Sequence, residues 1–314
     1  MNVTITRSLA PECPPPRVPN PEPREPVVPS GSPMSGTLYL VATPIGNLED
    51  ITLRAVRILG EVRLIAAEDT RRTATLLRHY GITTRTTSLH AHNEQRKTSA
   101  LVARLLTGDS IALLSDAGTP IVSDPGLLLV RQSLDAGIPV VALPGACAVT
   151  AALVSSGAPA NSFTFVGFPP RRLNDRKRWC ERLSDEPRTL ILFESPHRLV
   201  TTLKLMLVYW GDRRVALCRE MTKIHEELVV RPISELIDVV GSPRGEYTCV
   251  VWPSSTPAPP APTLPSGDDL LSELGALTNM GGSRRGALKE LGRRYGLTTR
   301  QMYTEVERIK NLGQ

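Results

Sequence analysis

Aromatic residues and paired cysteines are both scarce in this chain. Only 4% of its 314 residues are Phe, Trp or Tyr. Its five cysteines are scattered and form no C-x-x-C pair, so we expect neither a disulfide framework nor a cysteine metal site, and a reducing cytoplasm fits this composition. No run of about eighteen apolar residues occurs, so no membrane-spanning helix is expected.

Several catalytic and cofactor motifs are also missing. No G-x-G-x-x-G follows the first predicted strand and no G-x-x-x-x-G-K-[ST] occurs, which argues against an ordinary dinucleotide site and a phosphate-loop NTPase. Without G-x-S-x-G there is no nucleophile elbow for Ser-His-Asp chemistry. His90 and His92 lie close together without complementary ligands, so loop histidines are favoured over a metal site.

Length and positive charge are the features that the composition does offer. A chain of 314 residues can form two domains, each with its own core. The formal net charge of +6 suits a polyanionic partner. Charge alone does not identify that partner, because many basic proteins bind no nucleic acid.

The first half of the chain shows a repeated strand, loop and helix pattern. Residues 1–35 precede it, and their ten prolines without a periodic apolar pattern predict a disordered extension. Residues 36–156 contain five predicted strands with helical crossovers, which predict a parallel, doubly wound α/β sheet. Its first helix is expected over 52–59, with Gly60 as the residue that stops it.

The second half predicts a different sheet and then a helical tail. Residues 157–252 are expected to form an α/β domain with a mixed sheet, because the strands at 214–219 and 226–231 are close enough to pair antiparallel. The Pro-rich stretch 253–265 predicts a semi-rigid linker. Residues 266–314 predict three helices, the second with an apolar stripe of Leu288, Leu291 and Tyr295.

The most informative stretch is residues 115–126, S-D-A-G-T-P-I-V-S-D-P-G. It directly follows the apolar run I-A-L-L, which predicts a buried strand that ends in an elaborate loop. Glycine lets a backbone approach a ligand, and proline holds a loop rigid. Ligands of open α/β sheets bind where such loops leave the carboxyl ends of strands. The alternative interpretation is a purely structural loop between a strand and a helix, which could contain the same residues.

Six strings together resemble the tetrapyrrole-methylase superfamily, and within it the enzymes that methylate a ribose 2′-oxygen of small-subunit rRNA. The strings are A-T-P-I-G-N-L, A-E-D-T-R, S-D-A-G-T-P, V-S-D-P-G, F-E-S-P-H-R and R-E-M-T-K-I-H-E-E. The resemblance implies a homodimer of two α/β domains with S-adenosylmethionine in the cleft between them. It also implies a cytidine in the decoding region of 16S rRNA, within the 30S particle, as the methyl acceptor.

The same resemblance assigns a set of cofactor-binding residues, which are expected to act largely through their backbone. They are Pro44, Gly46, Asp116, Ala117, Gly118, Thr119, Pro120, Ser123, Asp124, Gly126, Gly145, Ala146, Cys147, Phe168, Gly245, Glu246 and Tyr247. Cys147 departs from the family pattern, which has a serine there. A thiol forms weaker hydrogen bonds than a hydroxyl, so Cys147 is the least secure member of this set.

A base beside the acceptor hydroxyl would help it to lose its proton during attack. The sequence leaves five possibilities unranked: Glu68, Asp69, Glu194, Lys223 and Glu226. Structural ion pairs are the alternative, because Asp69 could pair with Arg71 or Arg72, and Glu194 could pair with Arg198.

Basic residues are expected to contact RNA phosphates. The set comprises Arg71, Arg171, Arg172, Arg176, Arg178, Arg198, Arg284, Arg285, Lys289, Arg293 and Arg294. Trp179 lies within the basic segment 171–188 and could offer a stacking face. A solvated helix face would have a similar composition, and the tail could instead be a packing unit.

Two other functions stay open from the sequence. A tetrapyrrole C-methyltransferase would share the fold, and a basic cleft would attract its polycarboxylate substrate. An RNA-binding assembly factor without catalytic activity would have no need of an intact S-D-A-G-T-P loop. The strings A-E-D-T-R and F-E-S-P-H-R and the basic tail favour the rRNA enzyme over the tetrapyrrole enzyme.

Overall fold

A computed structural model describes residues 35–241, 243–254, 265–279, 283–295, 297 and 299–312. Contacts divide the chain into two compact units, of which the first ends at Pro253 and the second begins at Ser254. Most of the extension 1–35 that was predicted to be disordered and most of the predicted linker 253–265 lie outside the described residues. The finer boundary expected between residues 156 and 157 stays a prediction.

The first sheet is built from five short strands connected by helices. In chain order its elements are β1 Leu38–Val41, α1 Leu53–Glu61, β2 Leu64–Ala67, α2 Thr70–His79, β3 Thr86–Ser88, α3 Glu94–Leu106, β4 Ile111–Leu114, α4 Leu127–Asp135, β5 Val140–Leu143 and α5 Ala148–Ser156. The strand order is β3-β2-β4-β1-β5, and every pairing is parallel. The predicted doubly wound α/β sheet is therefore confirmed.

Both faces of this sheet carry helices, because the side chains of the central strands point alternately to one face and to the other. Successive side chains of a strand point to opposite faces. In β4, Ala112 and Leu114 pack with α1 and α2, whereas Ile111 and Leu113 pack with α3 and α4. A strand buried on both faces must be apolar throughout, which accounts for the run I-A-L-L.

The second sheet is mixed, as the sequence predicts. Its elements are β6 Phe163–Phe165, α6 Leu173–Arg182, β7 Thr189–Glu194, α7 Pro196–Trp210, β8 Arg214–Arg219, β9 Glu227–Pro232, α8 Ile233–Val239 and β10 Tyr247–Val251. The strand order is β6-β7-β10-β8-β9, in which β6 and β7 are parallel and the other pairs antiparallel. Helix α5 packs on one face through Ile191, Ala216 and Val250, and α6, α7 and α8 cover the other.

The tail forms the three expected helices, α9 Gly267–Asn279, α10 Arg284–Arg294 and α11 Thr299–Leu312. Leu288 and Leu291 are buried in their shared core, and Tyr295 packs against it. Ser283 caps α10, because its side-chain oxygen accepts a hydrogen bond from the Gly286 N–H. Among the described residues, no helix of either unit is long and apolar enough to cross a membrane.

The first helix differs from its sequence-based expectation. Gly60 does not stop α1, which continues to Glu61. Two contacts carry the helix past the glycine: Glu61 pairs with Arg57 at 2.8 Å, and the Val62 N–H donates to the Ile58 carbonyl. Val62 is only 6% exposed, so its burial holds the last turn against the sheet.

Candidate functional site

The carboxyl ends of the parallel strands bring the motif loops together. Strands β1 and β4 are neighbours at the centre of the first sheet, and β2 and β5 flank them. The loops after β1, β2, β4 and β5 carry A-T-P-I-G-N-L, A-E-D-T-R, S-D-A-G-T-P and P-G-A-C. Four of the strings found in the sequence thus share one edge of the sheet, counting V-S-D-P-G in the same β4 loop.

A short backbone ladder joins the two central loops. The N–H of Thr43 donates to the Gly118 carbonyl at 2.9 Å, and the Gly118 N–H donates back to Thr43 at the same distance. The Ser115 hydroxyl donates to the Gly118 carbonyl at 3.1 Å, and the Thr119 hydroxyl donates to the Ala146 carbonyl at 3.2 Å. These bonds fix the β4 loop against the loops after β1 and β5.

Backbone strain is concentrated in the same region. Among the described residues, four that are not glycine have positive φ: Ile121, Ser123, Glu220 and Thr222. Two lie in S-D-A-G-T-P-I-V-S-D-P-G and two in R-E-M-T-K-I-H-E-E. Such conformations cost about 1–3 kcal/mol each and persist where the surrounding structure determines them, typically at ligand sites.

The central loops fit a ligand that is held by backbone atoms. Within the part of the chain that the structure describes, the N–H groups of Thr119 and Ala146 donate to no protein acceptor. Gly118 has φ +81°, and a Cβ there would lie 3.3 Å from Ile45 Cγ2 and 3.7 Å from the Ala146 carbonyl oxygen. Free backbone donors beside a position without a side chain suit a polar ligand such as S-adenosylmethionine.

Three carboxyl groups from two loops form a cluster beside this ladder. Glu68 Oε2 accepts a hydrogen bond from the Asp116 N–H at 3.3 Å, and Asp116 Oδ1 accepts one from the Asp69 N–H at 2.9 Å. Burial, together with the charges of Glu68 and Asp116, raises the pKa of Asp124 to about 6, although a Ser115 hydrogen bond opposes the rise. Burial also raises the pKa of Glu68. The cluster can therefore hold or release a proton near neutral pH.

Asp69 is bound by its own neighbour and serves as a helix cap. Its side chain accepts from the Arg71 N–H at the start of α2, and Arg71 Nη2 contacts Asp69 Oδ2 at 2.8 Å. The Arg71 hydrogen bonds lower the pKa of Asp69 to about 2. A carboxylate with so low a pKa is a weak base, which makes Asp69 a poor proton acceptor.

The second sheet contributes residues 220–223 to the edge of the first. The Asn47 N–H donates to Thr222 Oγ1 at 3.0 Å. A Cβ at Gly46 would overlap Lys223 Cγ and lie 2.9 Å from the Met221 carbonyl oxygen, so this glycine permits a close contact between the two α/β halves. The string R-E-M-T-K-I-H-E-E therefore meets A-T-P-I-G-N-L directly.

Lys223 is held in an ion cluster. Its Nζ lies 3.1 Å from Glu220 Oε1 and 2.9 Å from Glu246 Oε2. Desolvation lowers the pKa of Lys223, but hydrogen bonds to Glu246 and Glu220 outweigh it and raise the pKa above its usual value. Lys223 is therefore a cation at neutral pH and not a base. Glu226 is exposed on the same segment.

Glu194 is part of a buried network at the end of β7. Its side chain is fully buried, with Oε1 2.7 Å from Arg198 Nη2 and Oε2 accepting from the Thr202 hydroxyl at 2.6 Å. The alternative of a structural ion pair with Arg198 is thus the one that the structure shows. Both oxygens are occupied by protein donors.

The four second-half residues expected at the cofactor lie in different surroundings. Phe168 is 53% exposed. Gly245 lies against the Glu220 side chain, and the Glu246 N–H donates to Glu220 Oε1 at 2.8 Å. The Tyr247 ring, 8% exposed, packs in the core on the face covered by α6, α7 and α8, and the structure does not bring it to the loop cluster.

Two arginines and a tryptophan expected to contact RNA are structural instead. Arg176 is 4% exposed and donates to the carbonyls of Pro170 and Arg171 and to Thr202. Arg198 is occupied by Glu194. Trp179 is buried with its ring 5.5 Å from Trp210, so it offers no stacking face. Arg171, Arg172 and Arg178 are exposed, Arg178 beside Asp175.

Some basic residues of α10 also form ion pairs within the protein. Arg284 pairs with Glu307, and Arg294 pairs with Glu273 at 2.9 Å, so both tie the tail helices together. Arg285 and Lys289 are exposed. The side chain of Arg293 lies outside the described residues.

Sequence reasoning did not find the contact of Asn47 with Thr222 or the ladder from Thr43 to Gly118. Both depend on which strands and loops are neighbours in space. The sequence pointed to these residues in one way: Thr43, Asn47 and Thr222 each lie within one of the six strings that resemble the family. Cys147 packs with the apolar residues between α5 and the second sheet, so its thiol acts there as an apolar group.

Comparison with known proteins identifies the fold and its relatives. The model of the Tetrapyrrole (Corrin/Porphyrin) Methylases matches residues 37–237. Ribosomal RNA small subunit methyltransferase I of Pseudomonas aeruginosa is 46% identical over 72% of this chain and 81% of its own length. The protein of that name from Synechocystis is 44% identical over 85% of this chain and 96% of its own.

A solved structure adds information about the fold alone. Uroporphyrin-III C-methyl transferase from Thermus thermophilus, complexed with S-adenyl homocysteine, is 20% identical to this chain. Its TM-score is 0.51, and the match covers 69% of this chain and 97% of the other.

Proposed function

This chain belongs to the tetrapyrrole (corrin/porphyrin) methylase family, and from that membership we propose that it is an S-adenosylmethionine-dependent methyltransferase of small-subunit rRNA. The transferred methyl goes to the ribose 2′-oxygen of a cytidine in the decoding region of 16S rRNA. The observation that carries the proposal is the 44% identity to a ribosomal RNA small subunit methyltransferase I over 96% of that relative. The β4 loop provides a matching site, with the free N–H groups of Thr119 and Ala146 beside Gly118.

The chemistry needs positioning and a proton acceptor more than it needs a charged nucleophile. When bound, S-adenosylmethionine supplies an electrophilic sulfonium methyl group. The chain orients the reactants, and proximity and orientation contribute on the order of 7–11 kcal/mol in well-aligned reactions. The N–H groups of Thr119 and Ala146 hold the cofactor, Gly118 leaves space for it, and the ladder between Thr43 and Gly118 keeps the loop fixed.

Glu68 is the best placed of the five candidate bases. Its carboxyl lies at the carboxyl edge of the sheet and has a pKa raised by burial, and within the described part of the chain it accepts a single hydrogen bond, from the Asp116 N–H. Asp69 and Glu194 are paired with arginines, Lys223 is a cation, and Glu226 is exposed directly before β9. Glu68 accepts the acceptor hydroxyl proton, with Asp124 available to share it.

The tetrapyrrole alternative is supported only by distant structures. The uroporphyrin-III enzyme is 20% identical, which establishes a common fold and no common substrate. The relatives at 46% and 44% identity are named for ribosomal RNA instead. An inactive assembly factor binds no cofactor and would therefore not need the strained β4 loop with its free backbone donors.

Nucleoside mass spectrometry of rRNA tests the function directly. A 2′-O-methylcytidine of small-subunit rRNA is expected in cells that contain the protein and absent after its gene is deleted. The purified protein should restore it, more rapidly on 30S particles than on naked RNA. Methylation of a base, or transfer only to a porphyrinoid, would contradict the proposal.

We also propose two features of the working enzyme that follow from the family resemblance. It acts on the 30S particle in the cytoplasm, and it does so as a homodimer, so that light scattering should report about twice the 34.2 kDa of one chain. A mass of one chain at micromolar concentration would contradict the dimer.

The tail is expected to be an RNA-binding arm. Arg285 and Lys289 are exposed cations of α10, and the tail is a compact unit of its own. Truncation after Trp252 should leave the affinity for S-adenosylhomocysteine unchanged and weaken binding to 30S particles. Because phosphate contacts release counterions, the loss should shrink as salt rises. If the full chain and the truncated chain methylated ribosomal particles equally well at low salt, the tail would be a packing unit and not an RNA-binding arm.

A further inference from the structure

The loop between β6 and α6 presents an exposed ring and two exposed cations. We define the β6–α6 loop as residues 166–172, V-G-F-P-P-R-R. Phe168 is 53% exposed, and Arg171 and Arg172 are exposed beside it. Within the described part of the chain, neither guanidinium has a carboxylate partner, whereas Arg178 and Arg188 nearby do. The loop thus combines an apolar ring with unneutralised positive charge.

Two arginines, Arg176 and Arg198, bind the backbone carbonyls of this loop. Arg176 Nε donates to the Pro170 carbonyl at 2.9 Å, and its Nη2 donates to the Arg171 carbonyl at 3.1 Å. Arg198 Nη1 donates to the Pro169 carbonyl at 3.1 Å. The two prolines restrict the backbone further. A ring on so restrained a loop loses little conformational entropy when it binds a partner.

The loop also lies beside the proposed active site. A Cβ at Gly167 would be 3.6 Å from Ser123 Oγ of the β4 loop. The Phe168 ring lies 5.4 Å from Phe193, which in turn lies 4.9 Å from Phe165. Phe165, Phe193 and Val122 of the β4 loop pack against the same apolar core, so Phe168 is the solvent-facing end of a ring cluster that shares this core with the β4 loop.

We propose that Phe168 stacks on an unpaired base of the RNA substrate while Arg171 and Arg172 hold the neighbouring phosphates. The inference rests on the proposed function, which supplies an RNA substrate, and specific recognition of RNA mostly targets unpaired bases. Aromatic rings beside cations are the usual surface for single-stranded RNA. The string F-E-S-P-H-R gains a role: Phe193 supports the ring, and Glu194 holds Arg198 on the Pro169 carbonyl.

The test compares Phe168→Ala, Phe168→Trp and the control Phe163→Ala. Phe163 is 39% exposed at the opposite end of β6, and its ring makes no contact with the cluster among the described residues. Phe168→Ala should raise the KM for 30S particles roughly 5- to 100-fold, the range of one lost stacking contact. Phe168→Trp should restore it, Phe163→Ala should leave it unchanged, and all three should keep their affinity for S-adenosylhomocysteine.

Stacking can also be measured directly by fluorescence, which does not depend on methylation. The tryptophan introduced by Phe168→Trp should lose fluorescence when a short single-stranded cytidine oligonucleotide is added, and excess salt should reverse the loss. An unchanged KM in Phe168→Ala, with wild-type methylation intact, would overturn the inference alone. Loss of S-adenosylhomocysteine affinity in Phe168→Ala would instead assign the ring to the cofactor. Wild-type protein that methylates no rRNA would refute the proposed function.

Discussion

Gly118→Leu is expected to abolish the binding of S-adenosylmethionine and of S-adenosylhomocysteine, with affinity at least roughly 100-fold lower. Gly118 has φ +81°, which costs a side chain about 1–2 kcal/mol. Its Cβ would already lie 3.3 Å from Ile45 Cγ2, so a leucine must enter the space between the loops after β1 and β5. Calorimetry with S-adenosylhomocysteine measures the loss.

Gly137→Leu is the matched control for this change. Gly137 has φ +71° with no atom within 4 Å of its Cβ position, and it lies between α4 and β5 at the opposite edge of the sheet. The control therefore carries the same backbone cost without filling the site. Undiminished affinity in Gly118→Leu would place the cofactor elsewhere, and equal losses in both variants would mean that destabilisation alone caused the effect.

Glu68→Gln is expected to lower kcat on 30S particles by about 100-fold or more, since general base catalysis contributes roughly 10²–10⁴-fold. Glutamine keeps the oxygen that accepts from the Asp116 N–H, so cofactor affinity should not change. Glu226→Gln removes a carboxylate from an exposed position and should leave kcat unchanged. Full activity in Glu68→Gln would remove Glu68 from the reaction.

The same site predicts a pH dependence with a definite sign. A base must be ionised to accept a proton, and burial raises the pKa of Glu68 and brings that of Asp124 to about 6. The rate should therefore fall as the pH drops and these carboxyl groups take up protons, with Asp124 doing so near pH 6, and should level off at higher pH. Because the carboxyl groups interact, the measured midpoint belongs to the cluster as a whole.

The sequence predicted the first sheet well because apolar pattern and topology agree there. Runs such as L-Y-L-V and I-A-L-L are bounded by glycine and polar residues, and helical segments of suitable length separate them. Right-handed crossovers then permit few arrangements. The sequence did not give the strand order, and it therefore did not give the contact of Glu68 with Asp116, which lie 48 positions apart in the loops after β2 and β4.

The roles of individual arginines could not be predicted in the same way. Arg172 and Arg176 lie four residues apart in one segment rich in arginine, and both were expected to contact RNA. Arg176 is buried because Thr202 and the carbonyls of Pro170 and Arg171 surround it, and Thr202 lies 26 residues away. Local composition carries no information about such a distant acceptor.

The distribution of phenylalanine offers an unusual spectroscopic opportunity. The chain contains four phenylalanines, and three of them form the ring cluster of Phe165, Phe168 and Phe193. Fluorine introduced into every phenylalanine ring would give four resonances, of which three report on the neighbourhood of the cleft. Phe163, at the far end of β6, would provide an internal reference in the same spectrum. A scarcity of aromatic residues thus makes this protein suited to following ligand entry by fluorine NMR without any engineered label site.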